Sequence, residues 1–300
     1  MPRARTKAVT VKIFFTLPFY TRRNELSIAE LESGYGIAYN HLMNLYESPC
    51  GYFVGNTSKA EIYSFPTEEE LNEIFPQKTT MPKQESFYEF QLEQGFRRTG
   101  ELIYRETCPH CKKCIPIRIP AKKYQANKTA RHLLRKNSDL ELRISEAADD
   151  FITEEKILLY QNYWRRHNPG KTISREDAFS DLVAFSGCGD KNKSYSGTKN
   201  FDYYLDGKLV AVSVLDFALA SISSNYFYYD ISPQILKRSP GTFSIINEIL
   251  WAKEHDYDYY YLGYWIKGHP KMNYKANFFP HELCINDIWE EVKAAEINGL

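Results

Sequence analysis

The order of strand and helix signals in the last third of the chain constrains its fold more than any other feature. The dipeptide Asp206-Gly207 lies between two strand-like runs and is a strong signal for a tight hairpin turn. A third strand-like run, a helix that begins near Pro240 and a tyrosine-rich strand near Tyr259 follow. We therefore predict an α+β protein whose C-terminal half is an antiparallel meander followed by a helix and a last strand.

This order resembles the acyltransferase fold of the GNAT superfamily of N-acetyltransferases, and it predicts a C-terminal GNAT-like (acyl-CoA N-acyltransferase) fold. In that fold the free N–H groups at a helix N-terminus face the acyl donor. GNAT enzymes carry an R/Q-x-x-G-x-G/A turn there, whereas this chain has Arg238-Ser-Pro-Gly241 followed by Thr242 and the bulky Phe243. Only half of the coenzyme A pattern is present, which favours a different acyl donor.

The first half of the chain predicts a smaller N-terminal α/β domain. Residues 59–65 alternate like a strand, and residues 140–144 indicate another strand. Acidic residues typical of a helix start follow from Glu146. We therefore predict a domain boundary at this point. Residues 1–145 form the N-terminal domain with a cysteine segment and a basic helix, and residues 146–300 form the acyltransferase-like catalytic domain.

The cysteine segment Cys108-Pro-His-Cys-Lys-Lys-Cys114 holds the densest chemistry of the first half. Cys108, Cys111 and Cys114 form two overlapping C-x-x-C steps, a spacing typical of metal ligands or redox thiols in a reducing compartment. A tetrahedral metal site needs a fourth ligand, which Cys50 or His110 would supply. Because the chain has no second, distant C-x-x-C pair, cysteines without a metal are the alternative interpretation.

A basic stretch at residues 122–136 is the best candidate for a nucleic-acid contact. Arg131 and Arg135 stand four residues apart and therefore share one face of the predicted helix, and the same stretch carries Lys128. The chain has 38 Lys and Arg against 38 Asp and Glu, so its net charge is +0 and only a local patch can attract a polyanion. A solvated helix face is the alternative.

The chain shows no targeting signal that fits the known patterns. The apolar run at residues 13–20 is short, contains Pro18 and leads to Thr21-Arg-Arg rather than to a small-residue cleavage site. With no run long enough to span a bilayer, we expect a cytoplasmic monomer without a membrane partner, whose cysteines are reduced.

Residues 257–276 combine a tyrosine-rich strand with a cationic, aromatic loop. Gly263 interrupts the strand, and a glycine in this position is typical of a bulge or of a close backbone approach. Lys271, Tyr274 and Lys275 follow within a few residues. Such a loop at the end of a core strand predicts polar groups at the edge of a pocket, and an ordinary solvated turn is the alternative.

Two adjacent arginines, Arg97 and Arg98, follow a predicted helix. Neighbouring side chains in a strand point to opposite faces, so we expect one of the pair to be buried and the other to be exposed. A guanidinium group suits carboxylates and phosphates, which makes the pair a candidate anion clamp. A solvated pair is the alternative.

Six segments carry a family resemblance. They are residues 95–100, 114–118, 206–212, 228–230, 241–243 and 261–276. Together they resemble the aminoacyl-tRNA–protein transferases, and most of all the bacterial aspartate/glutamate leucyltransferases, which are relatives of the eukaryotic arginyltransferases. The resemblance extends over nearly the whole chain, and its last segment is the longest and most specific. One departure is Cys50-Gly51, where the eukaryotic members have a second cysteine.

The resemblance implies the reaction. An aminoacyl group, most of all leucyl, passes from its tRNA ester to the N-terminal α-amine of a protein that begins with Asp or Glu, which marks that protein for N-degron-dependent degradation. Ester aminolysis is downhill, so the enzyme mainly orients the two substrates and moves protons, and it needs no cofactor. Asp230 is the candidate that takes the proton of the amine, and Tyr229 or Tyr264 donates one to the leaving ribose oxygen.

The two substrates imply two sets of binding residues. The acidic side chain of the acceptor needs cations, and the acceptor-binding candidates are Arg97, Arg98, Lys271, Tyr274 and Lys275. The tRNA end would meet Gly241, Thr242 and Phe243, where an aromatic ring can stack on a base. The phosphate-binding candidates are Lys128, Arg131 and Arg135.

Several alternatives stay open. Arginine is the second choice of donor, and it would need a carboxylate in its pocket, for which Glu248 or Asp216 is available. The cysteine segment would hold a zinc ion or an iron–sulfur cluster if it binds a metal at all. A coenzyme A-dependent N-acetyltransferase is disfavoured by the incomplete phosphate loop. A non-catalytic RNA-binding module is disfavoured because it leaves the lysine–aromatic loop without a purpose.

Overall fold

The smaller of two sheets is formed by the first part of the chain. The computed structural model describes residues 9–13, 39–75, 81–146, 151–186 and 195–292. Within these ranges, five antiparallel strands form a sheet in the order β1-β2-β3-β5-β4. The strands β1 to β5 are Val9–Ile13, Tyr39–Pro49, Thr57–Ser64, Arg97–Thr99 and Leu102–Glu106. Helices α1 (Glu68–Ile74) and α2 (Lys83–Glu93) bury their apolar side chains against it.

The larger sheet contains eight of the described strands in the order β13-β12-β6-β11-β10-β9-β8-β7. The strands β6 to β13 are Ile115–Pro120, Glu141–Glu146, Thr198–Leu205, Lys208–Phe217, Ser221–Tyr229, Tyr259–Trp265, His281–Ile285 and Ile288–Val292. Its neighbouring strands are antiparallel except β10 and β11, which are parallel. The predicted hairpin at Asp206-Gly207 joins β8 to β9.

Helices cover both faces of the larger sheet. They are α3 (Lys128–Lys136), α4 (Glu154–His167), α5 (Arg175–Ser186), α6 (Pro233–Leu236) and α7 (Pro240–Glu254). Side chains of α3 and α7 share one apolar cluster with the sheet, and side chains of α4 and α5 share another with its opposite face. The meander β8-β9-β10, then α7, then β11 is the predicted GNAT-like order, so the α+β prediction is confirmed.

Across the described ranges, no helix combines the length and the apolar content that a bilayer-crossing segment needs.

The predicted domain boundary at residue 145 does not coincide with the change from one sheet to the other. Strand β6 precedes that boundary and β7 spans it, yet both belong to the larger sheet, and β6 lies between β11 and β12. Sheet membership changes between Glu106 and Ile115 instead. The long-range pairing of β6 has no local sequence signal, so the exchange of a strand between the two parts of the chain could not be predicted from the sequence.

Strands β10 and β11 separate after a short paired region. Ser221, Ile222 and Ser223 pair with β11, and the next residues of β10 pair only with β9. The register of β10 shifts after Ser224, and that of β11 shifts next to Gly263, whose φ is +86°. These irregularities bend both strands and leave a gap between their C-terminal halves.

A buried ion pair joins the two sheets. Arg98 of β4 donates from Nε to Asp216 of β9 at 3.1 Å and from Nη2 to Thr198 of β8 at 2.7 Å. A second bond joins Nη2 of Arg98 to the other carboxylate oxygen of Asp216, and both charged side chains are 0% exposed. Because each buried charge is compensated by the other, this contact fixes the smaller sheet in one position over the larger one.

Loss of this pair is expected to destabilise the whole protein. Arg98→Met would leave the Asp216 carboxylate buried and uncompensated, which costs about 3–5 kcal/mol of the free energy of unfolding. Urea denaturation followed by circular dichroism measures the loss. Arg175→Met, which breaks an exposed pair with Glu154, is the matched control and should leave the midpoint nearly unchanged. Equal stability of both variants would contradict the role assigned to Arg98.

Candidate active site between strands β10 and β11

Arg97 places a cation in the gap between β10 and β11. Its side chain is 6% exposed, and Nη2 donates to the carbonyl oxygen of Ser224, the first residue of β10 beyond the paired region. Nη1 of Arg97 is buried and has no hydrogen-bond partner among the described residues. Because a buried, unpaired guanidinium nitrogen is costly, this position suits an anionic group supplied from outside the chain.

Lys275 brings a second cation to the same place. It lies in the 3₁₀ turn Asn273–Asn277. A Cβ atom built on Gly263 would lie 3.2 Å from Nζ of Lys275 and 3.8 Å from the guanidinium of Arg97. The missing side chain of Gly263 therefore lets both cations meet over the β11 backbone. Burial and the Arg97 charge lower the pKa of Lys275 to about 7.

Two phenols lie near Arg97. Tyr264 is buried next to Tyr104, with ring centroids 6.4 Å apart, and its hydroxyl oxygen accepts a bond from the backbone N–H of Glu106 at 3.2 Å. Burial raises the pKa of both phenols, and the Arg97 charge opposes this only in part. Tyr264 thus stays protonated at neutral pH near Arg97, and this arrangement can bind a carboxylate and supply a hydrogen-bond donor.

Tyr229 lies on the opposite side of the gap, at the end of β10. Its hydroxyl oxygen accepts a bond from Nη1 of Arg166 at 2.8 Å, and its ring centroid lies 5.0 Å from that of Tyr163. This charge-assisted bond fixes the position of the Tyr229 hydroxyl at the end of β10. Arg166 was not predicted from the sequence, because a basic residue in the last turn of a helix normally serves only the helix dipole.

Asp230, the predicted proton acceptor, is occupied with local structure. Its carboxylate accepts a bond from the backbone N–H of Ser232 at 2.8 Å and lies 3.2 Å from Nζ of Lys208. Burial raises the pKa of Asp230, but the bonds from Ser232 and Lys208 outweigh burial and hold the pKa below its usual value. A carboxylate with a lowered pKa is a weak base, so the structure does not support the predicted role.

Lys271 and Tyr274 lie on the outer rim of the gap. Lys271 is exposed, and Tyr274 is 41% exposed. Burial lowers the pKa of His167 at the end of α4, and the charge of Lys271 lowers it further, so Lys271 lies close to that helix. Both predicted acceptor-binding residues therefore border the opening rather than its interior.

Two predicted binding residues are not available to a substrate. Arg98 is fully engaged by Asp216 and Thr198, which removes it from the acceptor site. Phe243 is 6% exposed and packs edge-on against Tyr203, with ring centroids 5.7 Å apart, so it cannot stack on an RNA base. Both corrections have one reason, since each side chain points from its strand or helix into the apolar interior.

The N-terminus of α7 opens toward the gap. Ser239 precedes the helix in a left-handed conformation with φ +55°, and Pro240 is its first residue. A Cβ atom on Gly241 would lie 4.0 Å from the ring of Phe227, which in turn lies 5.4 Å from the ring of Tyr229. Gly241 and Thr242, both partly buried, therefore lie on the Tyr229 side of the gap.

Helix α3 carries its basic residues next to this helix start. Asn137, which caps α3, donates to the carbonyl oxygen of Arg238 at 3.2 Å, and Lys136 donates to that of Lys237 at 2.6 Å. The predicted phosphate-binding residues of α3 are exposed, and they are Lys128, Arg131 and Arg135. The structure thus places a basic helix face beside the α7 N-terminus.

The cysteines lie near the gap without forming a recognisable metal site. Burial and the neighbouring Glu106 raise the pKa of Cys114 to about 12, and Cys111, Cys108 and Cys50 add to this effect. Thiolates are the form that binds metals. Among the described residues, no group of three or more His, Cys, Asp or Glu side chains is arranged to hold a metal ion. The zinc ion or iron–sulfur cluster considered for the cysteine segment therefore stays a prediction.

The loop after β2 closes over the cationic loop that follows β11. The rings of Tyr52 and Phe53 lie 5.5 and 5.8 Å from the ring of His269, and Nζ of Lys113 lies 4.5 Å from the ring centroid of Phe53. The cysteine segment and the cationic loop thus form one wall. This contact joins residues far apart in the chain, so no sequence signal could have predicted it.

Comparison with known proteins assigns both halves of the chain. Residues 48–132 match the family model "Arginine-tRNA-protein transferase, N terminus", and residues 155–285 match "Arginine-tRNA-protein transferase, C terminus". The sequence of the "Aspartate/glutamate leucyltransferase" of Stenotrophomonas maltophilia (strain K279a) is 30% identical over 253 residues, which cover 82% of this chain and 90% of that protein.

Two further relatives carry the same name. The protein of Leptospira interrogans is 33% identical over 79% of this chain and 84% of its own length. The protein of Pseudomonas fluorescens (strain Pf0-1) is 33% identical over 75% of this chain and 91% of its own length. The family predicted from the sequence is thus confirmed.

Lys275 is expected to titrate near pH 7. Because the Arg97 charge lowers the pKa of Lys275, Arg97→Met should raise this pKa toward the usual lysine value. The pKa of Lys275 is measured in the unaltered protein and in the variant by NMR titration of lysine side chains that carry ¹³C-labelled methyl groups. Lys123 is the internal control, since its hydrogen bond to Glu291 raises its pKa and keeps it protonated throughout. A Lys275 midpoint near 10 in the unaltered protein would refute the assigned environment.

Proposed function

The chain belongs to the arginine-tRNA-protein transferase family, and from this premise we propose that it transfers a leucyl group from leucyl-tRNA to the α-amine of proteins that begin with Asp or Glu. The new N-terminal residue then marks the acceptor for degradation. The observation that carries this proposal is the pair of cations Arg97 and Lys275 at Gly263, which has no carboxylate bound to it within the described residues.

The acidic side chain of the acceptor fits between these cations. A carboxylate there accepts a bond from the unpaired Nη1 of Arg97 and another from Nζ of Lys275. Asn or Gln in its place would leave two partly desolvated charges without compensation, which disfavours neutral side chains. Lys271 and Tyr274 on the rim then contact the acceptor beyond its first residue.

The donor enters from the side of α7. The exposed cations of α3 bind phosphates of the tRNA, and the aminoacyl end passes the N-terminus of α7 beside Gly241 and Thr242. Its ester then lies in the gap, where the amine of the acceptor attacks the carbonyl carbon. Tyr229, whose hydroxyl is bonded to Arg166, donates the proton that the leaving ribose oxygen needs.

Leucine fits better than arginine as the transferred residue. An arginyl group would need a free carboxylate, and the two candidates are already engaged. Asp216 is bound by Arg98, and Glu248 accepts a bond from the hydroxyl of Tyr260. Burial also raises the pKa of Glu248 to about 7, which weakens it further as a partner for a cation. The names of the three relatives point in the same direction.

A transfer assay tests the proposal directly. Leucyl-tRNA and arginyl-tRNA are offered separately to four peptides that differ only in their first residue, which is Asp, Glu, Asn or Gln. We expect leucine to be transferred to the Asp and Glu peptides and the other six combinations to be near background, because only these acceptors neutralise Arg97 and Lys275. Mass spectrometry of the peptides gives the products. Transfer to Asn and Gln peptides at comparable rates would refute the proposed acceptor site.

The basic face of α3 is expected to act through phosphates. Replacing Lys128, Arg131 and Arg135 by Ala should weaken tRNA binding and reduce the slope of log K against log salt by about 1 for each lost phosphate contact. Filter binding at several salt concentrations measures the slope. The control variant removes the same charge elsewhere, through Lys59→Ala, Lys83→Ala and Arg175→Ala. An identical slope in both variants would mean that α3 is only solvated.

A further inference from the structure

We propose that Lys275 is the catalytic base that takes the proton of the acceptor's α-ammonium group, and that the acidic side chain of the acceptor switches this base on. This inference rests on the proposed function, and it adds a catalytic role to a residue that otherwise only binds charge. It also fills the role that Asp230 does not fit, because the carboxylate of Asp230 is engaged by Ser232 and Lys208.

The surroundings of Lys275 leave its amine free to take a proton. Its side chain is partly buried, and no hydrogen bond or ion pair ties Nζ to another residue in the part of the chain that the structure covers. The group that faces it from β4 is the Arg97 guanidinium, and β11 contributes only the backbone of Gly263. The phenols of Tyr104 and Tyr264 lie around Arg97 and stay neutral.

The charge of Arg97 helps to keep the Lys275 amine partly neutral in the free enzyme. Burial and the Arg97 charge lower the pKa of Lys275 to about 7, so about half of the protein holds a neutral amine at neutral pH. A carboxylate bound between the two side chains offsets the repulsion between them. It therefore raises the proton affinity of Lys275 at the moment when the acceptor's ammonium, with an ordinary pKa of about 8, lies in the same gap.

The proton and electron balance of the step is simple. The α-ammonium gives one proton to Nζ of Lys275, and the nitrogen keeps the electron pair and becomes neutral. That nitrogen attacks the carbonyl carbon of the aminoacyl ester, a C–N bond forms, and the C–O bond to the ribose breaks. The second proton of the attacking nitrogen goes to the ribose oxygen by way of Tyr229, and Lys275 later releases its proton to solvent.

This arrangement couples recognition of the acceptor to its activation. An acceptor with a neutral first side chain would leave Lys275 beside an uncompensated Arg97, where accepting a proton is unfavourable. Such an acceptor would bind weakly and would also keep its amine protonated. Selectivity for Asp and Glu should therefore appear in kcat as well as in KM.

Lys275→Arg separates the two roles of Lys275, because arginine keeps the positive charge and cannot accept a proton at neutral pH. We expect this variant to keep the KM for an Asp peptide within a few fold, and to lose about a hundredfold in kcat at pH 7.5, where free Lys275 is mostly neutral and the acceptor is mostly an ammonium. The loss should shrink above about pH 9, where the acceptor amine is neutral without help. Lys275→Met should lose both binding and rate, and Lys123→Arg, remote from the gap, is the control.

Recovery at high pH is the readout that a purely structural role would not produce. If Lys275→Arg retains the unaltered kcat at pH 7.5, or is equally impaired at every pH, Lys275 is not the base. Failure of the proposed function looks different, because the unaltered protein would then transfer no leucine to any peptide. Uncatalysed ester hydrolysis, measured at each pH without enzyme, is subtracted.

A second measurement uses the unaltered protein and does not depend on the folding of variants. An Asp peptide with an acetylated N-terminus offers the carboxylate but no ammonium proton. At pH 8 its binding should take up close to one proton from the buffer, because Lys275 is mostly neutral before binding and protonated afterwards. Calorimetry in two buffers of different ionisation enthalpy counts the protons. Binding without uptake of protons would overturn the inference.

Discussion

The buried ion pair between Arg98 and Asp216 is the contact on which the site depends. It fixes β4 of the smaller sheet over β9 of the larger one. Because successive side chains of a strand point in opposite directions, the same contact determines where the neighbouring Arg97 points. Arg97 is thus held in the gap by a residue that never meets the substrate. Arg98 has a structural role, and that role positions Arg97 for binding.

The gap itself comes from irregular strands rather than from a separate binding loop. Beyond Ser223, β10 and β11 are no longer paired through backbone hydrogen bonds, and the carbonyl oxygen of Ser224 accepts a bond from Arg97 instead. Gly263 offers backbone without a side chain on the other edge, which allows Lys275 to approach Arg97. Two cations at this distance repel each other in a poorly solvated place, and an anion supplied by the acceptor relieves that repulsion. Binding of the acceptor's carboxylate and relief of the repulsion between Arg97 and Lys275 are therefore the same event.

Much of the fold could be predicted from local patterns, and the site only in part. The turn at Asp206-Gly207 and the alternation of strand residues predicted the meander correctly, and Gly263 stood out as a close backbone approach. The expectation that one of Arg97 and Arg98 is exposed was wrong, because both are buried. Which of the two pairs with Asp216, and which is left for an anion, depends on a contact far along the chain. The prediction that Phe243 stacks on an RNA base was wrong for the same reason, since its contact with Tyr203 joins residues far apart in the chain.

The position of β6 between β11 and β12 has a consequence for folding during translation. During translation β6 leaves the ribosome long before the two strands that flank it have been made. Until then both of its edges expose unpaired N–H and C=O groups, which are open to wrong pairing with other chains. The larger sheet can close only after β11 and β12 have been made. Translation of an mRNA truncated before β11 would therefore yield an aggregation-prone fragment rather than a folded domain.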